Sequence, residues 1–433
     1  MADNSNKVRN QLQQMDMIYQ QATVTIIAAA GTNAHYGLPG VNESYRKPAS
    51  PVRVHNERLY AIPKPERRFD NCRWITRAWT YQEGLLSTRR LIFTDEQLYF
   101  ECNGCYCAEM IQISLDSFKK LHAPDKPYFH RRYRGEGSRM GTFPLNGYGV
   151  GPWDIYTRIH EYSERSLSHD SDILNGILGI FRAFEKIQNP MRHLYGIPFP
   201  KATACPNQVK KFDNSDQILP TFSESLQWKL EVPSKRRQGF PSWSWTGWYG
   251  RIIWPALFTV VKIVRKSSKM ERPRNPEETE RALDLSVELL NGNEMKWTEF
   301  QENYELLLAS NALGGFISIE ANATPVSLIP GVTDSGPQSP QFRLNLAEGT
   351  HPILASITTV EDLQPHDTFL AIHFHRTVKG DQGRSGKSAT ASDTQHLLIV
   401  QQLGSHWERV AIGSYVIDSK NEVPSTRQRI RLG

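Results

Sequence analysis

The sequence predicts an α/β region over residues 1–110, a loop and mainly helical region over residues 111–235, and a β-rich C-terminal region over residues 236–433. Three observations carry that expectation. Near the start, a segment with apolar residues at helical spacing runs straight into a β-branched apolar run closed by glycine, the pattern of a helix followed by a buried strand. Between residues 155 and 184 apolar side chains recur every three or four positions. From residue 316 onward, short apolar or alternating runs follow one another. At 433 residues the chain is long enough for two or three such cores.

Taken in order, residues 7–19 place Val8, Leu12, Met15 and Ile18 or Tyr19 three or four positions apart, which predicts a helix with one buried face. Residues 23–31 read Thr-Val-Thr-Ile-Ile-Ala-Ala-Ala-Gly and predict a strand covered on both faces in a parallel sheet. Residues 37–65, rich in Pro, Gly, Asn and Ser, read as a loop in which residues 59–62 can pair briefly. Residues 74–87 predict one helix, with Trp79 and Glu83 a turn apart on one face. Residues 90–94 and 97–102 predict a hairpin around Asp95 and Glu96. Residues 124–151 show no sustained period.

In the middle region, Ile155, Ile159 and Tyr162, then Ile173, Leu174, Ile177, Leu178, Phe181 and Phe184, predict amphipathic helices that need a partner surface. The stretch Pro241-Ser242-Trp243-Ser244-Trp245-Thr246-Gly247-Trp248 predicts a strand whose alternating tryptophans bury one aromatic face. Beyond it, strand-like sequence from residue 256 is interrupted by a charged linker at 266–280 and a helix near 297–308. Strands follow at 316–319, 342–346, 369–375, 396–401 and 409–417, with residues 377–395 as a flexible hairpin loop.

Composition excludes several classes. Apolar residues make up 39% and aromatics 10%, ten of them Trp, which is ordinary globular protein. Residues 1–19 are polar, and the apolar run at 24–30 is far too short to span a bilayer, so neither secretion nor a membrane partner is expected. Five cysteines, an odd number, do not form a disulfide framework, and a reducing intracellular compartment, cytoplasmic or nuclear, follows. The net charge of +6 is scattered apart from Arg131, Arg132 and Arg134 and the run Lys235, Arg236 and Arg237, which argues against nucleic acid as a partner.

Three stretches together resemble the fungal heterokaryon-incompatibility (HET) domain family. The first holds Met15-Asp16-Met17-Ile18-Tyr19, Ala22, residues 25–31 and Gly37-Leu38-Pro39-Gly40-Val41. The second is Arg77-Ala78-Trp79-Thr80-Tyr81-Gln82-Glu83-Gly84-Leu85-Leu86-Ser87, leading to Arg90-Leu91-Ile92-Phe93 and Phe100-Glu101-Cys102. Downstream, residues 172–180 and 241–245 are similar to segments that follow the domain in long members. The family's usual opening strand and the segment before its Met-x-x-Ile-Tyr helix have no counterpart here, so the resemblance is to a HET domain lacking its first one or two strands.

That resemblance implies an incompatibility-type protein, a signalling or interaction module in non-self recognition and programmed cell death that works through self-association or protein partners. The HET domain is distantly TIR-like, which implies a partial TIR-like parallel sheet with helices. It also implies a second reading, an NAD glycohydrolase with NAD as substrate and no bound cofactor. There Glu83 is the candidate catalytic carboxylate, hydrogen-bonding a ribose hydroxyl, while Trp79 holds the nicotinamide face and Arg77 meets the pyrophosphate. Set against this are plain structural roles: Trp79 as a core anchor, Arg77 as a surface cation, Glu83 as a helix-face charge paired with Arg77 or Arg89. A third reading is an inactive, degenerate gene product.

Other motifs point less far. Cys102, Cys105 and Cys107 stand at chelating distances but lack the further ligands a zinc site needs, so free thiols and no metal are expected. Residues 380–388 resemble a phosphate loop until the spacing is counted: Asp381 stands where the motif needs glycine. His373 and His375 alternate on an expected strand and read as a strand pair without a ligand partner.

Overall fold

The computed structural model describes residues 14–42, 44–46, 52–59, 72–103, 106–109, 143–144, 147–201, 221–254, 284–328, 341–346, 351–358, 363, 367–377, 393–417 and 423–433. The chain divides into two compact units, Met1–Gln188 and Asn189–Gly433.

The first unit opens with helix α1 (Met15–Gln21), which gives way at extended Ala22 to strand β1 (Thr25–Ala28). Two β-branched residues in a row favour the extended chain there. Strands β2 (Val52–Val54) and β3 (Glu57–Leu59) form a small hairpin. Helices α2 (Arg73–Thr76) and α3 (Ala78–Leu86) follow, then β4 (Arg89–Phe93), β5 (Leu98–Cys102) and β6 (Tyr106–Ala108). The sheet order is β1-β4-β5-β6, with β1 parallel to β4 and the other pairs antiparallel. The expected parallel sheet is therefore mixed.

Two expectations need correction here. Among the described residues strand β1 pairs only with β4, and it buries one face: Ile27 is 1% exposed whereas Ile26 is 57% exposed. The single helix expected at 74–87 is broken at Arg77, whose backbone is extended (φ −83°, ψ 138°) and bridges Ser166. Ala78 donates its N–H to the Ser166 carbonyl (2.9 Å) and Ser166 donates to Thr76 (2.6 Å), so the break is held from a distant part of the chain.

The expected hairpin forms as β4 and β5, closed by Thr94 and Gln97. Opposite each other in its register stand Arg90 and Glu101, both buried, with Nε and Oε2 3.8 Å apart. The Arg90 guanidinium donates to the carbonyls of Gly84 and Ser87, which fastens the sheet to the end of α3. Helix α4 (Asp154–Ser163) supplies the first amphipathic face expected, whereas the second expected helix, from Ile173, is α-helical only as α5 (Leu178–Phe184) after 3-10 turns at Asp170–Asp172 and Asn175–Ile177. Their apolar residues Ile155, Ile159, Tyr162, Ile180, Phe181 and Phe184 are buried within this unit.

The second unit begins with the hairpin of β7 (Met191–Leu194) and β8 (Ile197–Pro200), then a four-residue helix α6 (Phe222–Ser225). Thr221 and Glu224 close a reciprocal capping box at its start. Strands β9 (Lys229–Leu230) and β10 (Ile252–Ile253) pair antiparallel. Between them, the tryptophan-rich stretch is not the expected strand but an irregular segment with a 3-10 turn at Trp245–Gly247. It is buried on all sides rather than on one face, so alternation does not describe it. Each indole is satisfied instead by a backbone carbonyl: Trp243 donates to Gly315 (3.2 Å), Trp245 to Gly196 (2.7 Å) and Trp248 to Ser242 (2.8 Å).

A nine-stranded sheet completes the unit. It contains β11 (Asp284–Leu289), β12 (Glu294–Lys296) and, after helices α7 (Trp297–Glu302) and α8 (Tyr304–Ala309), β13 (Leu313–Leu328). Strands β14 (Gln341–Leu346), β15 (His351–Ile357), β16 (Phe369–Thr377), β17 (Asp393–Leu403), β18 (His406–Ile417) and β19 (Thr426–Leu432) follow. The order β13-β14-β15-β18-β17-β16 returns to β13, so these six strands close into a ring. Val326, Ala355, Phe369, Ala371, Leu397, Ile399, Val410 and Ala411 pack together as a core. All five C-terminal strand expectations are met, whereas the one helix expected near 297–308 is interrupted at Asn303 into α7 and α8. Buried Arg409 ties β18 to the Trp segment's neighbourhood, donating to the Leu226 and Trp228 carbonyls with its guanidinium 3.5 Å from the Trp228 ring centre.

Candidate functional site

Helix α1 meets α3 through Met15 and Tyr19, one turn apart on one face. Asp16 is an acid in an otherwise packed position, and it is buried because two cations reach it. Arg182 Nη1 lies 3.2 Å from one carboxylate oxygen and Lys186 Nζ 3.4 Å from the other, binding α1 to α5. Gln82 is buried between the same elements, donating to Met15 Sδ (3.5 Å) and accepting the Gly179 N–H (3.2 Å).

Glu83 follows Gln82 on α3 and accepts a hydrogen bond from the Tyr19 hydroxyl. Burial raises its carboxyl above the usual carboxylate range, opposed by the Arg77 charge and by the Tyr19 bond. Tyr19 is pushed up to about 12, first by burial and then by the Glu83 charge and hydrogen bond. Trp79, one turn before Glu83, donates its indole N–H to Asp172 Oδ2 at 3.3 Å. Arg77 is exposed, and its carbonyl accepts from Thr80 Oγ1 (2.8 Å).

Of the three residues proposed from sequence, Arg77 and Glu83 thus interact electrostatically, while Trp79 is engaged with Asp172 on another element. Tyr19, Gln82, Asp16 and Asp172 complete the surroundings. Sequence reasoning placed Tyr19 on the buried helix face without giving it a partner, and the signal that Asp16 is unusual was its position among residues spaced for burial. A carboxylate whose proton affinity is raised in this way can take up or release a proton, and it can accept a hydroxyl once Tyr19 lets go.

A second cluster lies on a different face of α3. The buried Tyr81 hydroxyl donates to Glu161, Arg158 Nη1 sits 3.0 Å from the same carboxylate, and the Arg165 guanidinium stacks 4.3 Å from the Tyr81 ring centre. Burial raises the Tyr81 phenol well above its ordinary value. These contacts hold α3 against α4.

The remaining motifs resolve as follows. Cys102 is half-buried on β5 and Cys107 exposed on β6, whereas Cys105 lies outside the described residues. Among the described residues no three His, Cys, Asp or Glu side chains gather as a metal site. The glycine-rich residues 380–388 also lie outside them. The β16–β17 register shifts between His373 and His375. Nε2 of His373 is 3.0 Å from Thr324 Oγ1, which in turn donates to the Pro424 carbonyl (2.8 Å). Since the hydroxyl proton goes to Pro424, Nε2 is the donor, and burial lowers the imidazole to about 4.

The mixed sheet with its parallel first pair, and the Trp-x-x-x-Glu helix closing on α1, give the described residues between 14 and 108 an α/β arrangement. Residues 2–83 match the family model described as heterokaryon incompatibility protein (HET), so this stretch of the chain is similar to that family. The match includes α1, β1, Arg77, Trp79 and Glu83. No curated protein and no solved structure matches the chain. Among the described residues no helix is long and apolar enough to cross a membrane.

Proposed function

We propose that the protein is a heterokaryon-incompatibility-type protein, a signalling and interaction module in fungal non-self recognition and programmed cell death, acting through self-association or protein partners. The family match over residues 2–83 carries this reading. It is supported by the packing of the matched helices, in which Glu83 is closed against Tyr19 and Trp79 is bonded to Asp172. The test is controlled expression of the full chain in a filamentous fungus, alone and in fusions between strains of differing genotype. Growth arrest and cell death in a genotype-dependent manner are expected; unimpaired growth of every strain at verified expression refutes the reading.

One observation favours a second reading, the TIR-like NAD glycohydrolase: burial raises the Glu83 carboxyl while Arg77 stands near it. Purified chain incubated with NAD then releases nicotinamide, and Glu83→Ala lowers that release by about 100-fold or more. Intact NAD after incubation with folded protein eliminates it.

A further inference from the structure

We infer that helix α1 is a releasable latch that covers Glu83 of α3 and is held down by the ion pairs of Asp16. In the NAD reading above, on which this rests, a ligand hydroxyl must donate to the Glu83 carboxylate. The Tyr19 hydroxyl already donates there, so the ligand and α1 compete for one acceptor. Both side chains are half-buried, and the two helices are joined again one turn earlier on α1, where Met15 Sδ accepts from Gln82 at 3.5 Å. Uncovering the carboxylate therefore means lifting α1.

The way α1 is seated makes it releasable. Of its seven residues Asp16 is the one that is buried, at 3% exposure, whereas its apolar neighbours Met17 and Ile18 are exposed. An apolar residue at position 16 would hold the helix unconditionally through its own burial. A carboxylate holds it only while Arg182 and Lys186 pair with it, because a buried charge that loses its partners is strongly destabilised. Lys186 is exposed and Arg182 half-exposed, so the clasp can be reached and weakened from solvent. Gly179 shapes the seat: a Cβ there would lie 3.2 Å from Asp16 Cβ and 2.6 Å from Gln82 Oε1. Seven residues are too few for a helix to persist alone, so α1 unravels once it leaves this seat and carries Tyr19 away from Glu83.

Access to Glu83 can be read without any activity. Carboxyls of the full chain are coupled to an amine with a water-soluble carbodiimide, and the labelling rate of Glu83 is followed by peptide mass spectrometry, with exposed Glu164 as the internal reference. Lys186→Glu, at an exposed position, sets a like charge beside Asp16 and leaves both Tyr19 and Glu83 intact. It is expected to speed labelling of Glu83 and not of Glu164. Tyr19→Phe is expected to speed it by about tenfold, the worth of one hydrogen bond to a charged group. Nicotinamide release from NAD is expected to rise in both variants alongside the labelling. Glu83 labelling that is unchanged in Lys186→Glu overturns the latch. So does a fall in nicotinamide release in Tyr19→Phe, which would make Tyr19 a positioning residue for Glu83 instead. Faster labelling with NAD left intact by every form supports the latch and sinks only the hydrolase; equal NAD cleavage by every form, with unchanged labelling, sinks only the latch.

Discussion

Replacing Tyr19 by phenylalanine removes the hydroxyl that Glu83 accepts and leaves the rest of the α1–α3 contact in place. A hydrogen bond to a charged group contributes about 1.5–3 kcal/mol, and the half-buried phenol puts this one at the lower end, about 1.5 kcal/mol. In a compact unit of Met1–Gln188 that corresponds to a melting temperature lower by about 3–6 °C at pH 7. Glu83→Gln should move stability the other way. Because burial raises the Glu83 carboxyl above its ordinary 4.5, the folded state binds more protons than the unfolded chain just above pH 4.5. Its contribution is full below that pH and is lost as pH rises through the folded value. Glutamine keeps an acceptor for Tyr19 without a charge to desolvate, so Glu83→Gln is expected to flatten this slope and match or exceed the parent at pH 7. Calorimetry from pH 4 to 8 on both variants reads the two effects. A Tyr19→Phe protein that melts with the parent, or a Glu83→Gln protein that loses stability at pH 7, would show the buried pair to be misassigned. A stabilised Glu83→Gln chain that has also lost its cellular effect would mark Glu83 as a carboxylate kept for function at the expense of stability.

Two other perturbations follow from the packing. Gly84 lies inside α3, where an added Cβ would sit 2.2 Å from Phe143 Cζ and 2.8 Å from Trp74 Cη2. Gly84→Ala therefore lowers stability by about 1–3 kcal/mol in urea unfolding, despite the better helix propensity of alanine, and a stabilised variant would refute the close packing. In the second unit, burial holds His373 at about 4, below its ordinary 6.5, so the folded state resists protonation. The stability this confers is present above pH 6.5 and is lost as pH falls toward 4; His373→Gln is expected to flatten that part of the pH profile, and an unchanged profile would contradict it.

Much of the site could be read in the sequence because its parts are close together in the chain. The four-residue spacing of Trp79 and Glu83 places them on one helix, and α1 covers the end of the helix expected over residues 7–19, whose first residues, 7–13, lie outside the described ones. What could not be read is what these side chains bond to. Tyr19 and Glu83 are joined across two helices, and Trp79 reaches Asp172 from ninety-odd positions away along the chain. The break at Arg77 is imposed by Ser166, and nothing in residues 74–87 announces it. The tryptophan-rich stretch misled for a related reason: alternation implies a strand only when one face is wet, and there both sides are packed.

By itself, the sequence determined most of the helical and extended segments and which helix carries the Trp and Glu, though not the break at Arg77 or the irregular Trp-rich stretch, because periodicity and β-branching act over a few residues. Tertiary structure decided the rest: that β1 buries Ile27 and leaves Ile26 exposed, that Asp16 is paired with Arg182 and Lys186, and that six C-terminal strands close into a ring. Those outcomes depend on which distant surfaces exclude water from which groups, and burial and charge pairing are properties of the assembled molecule that no local pattern encodes.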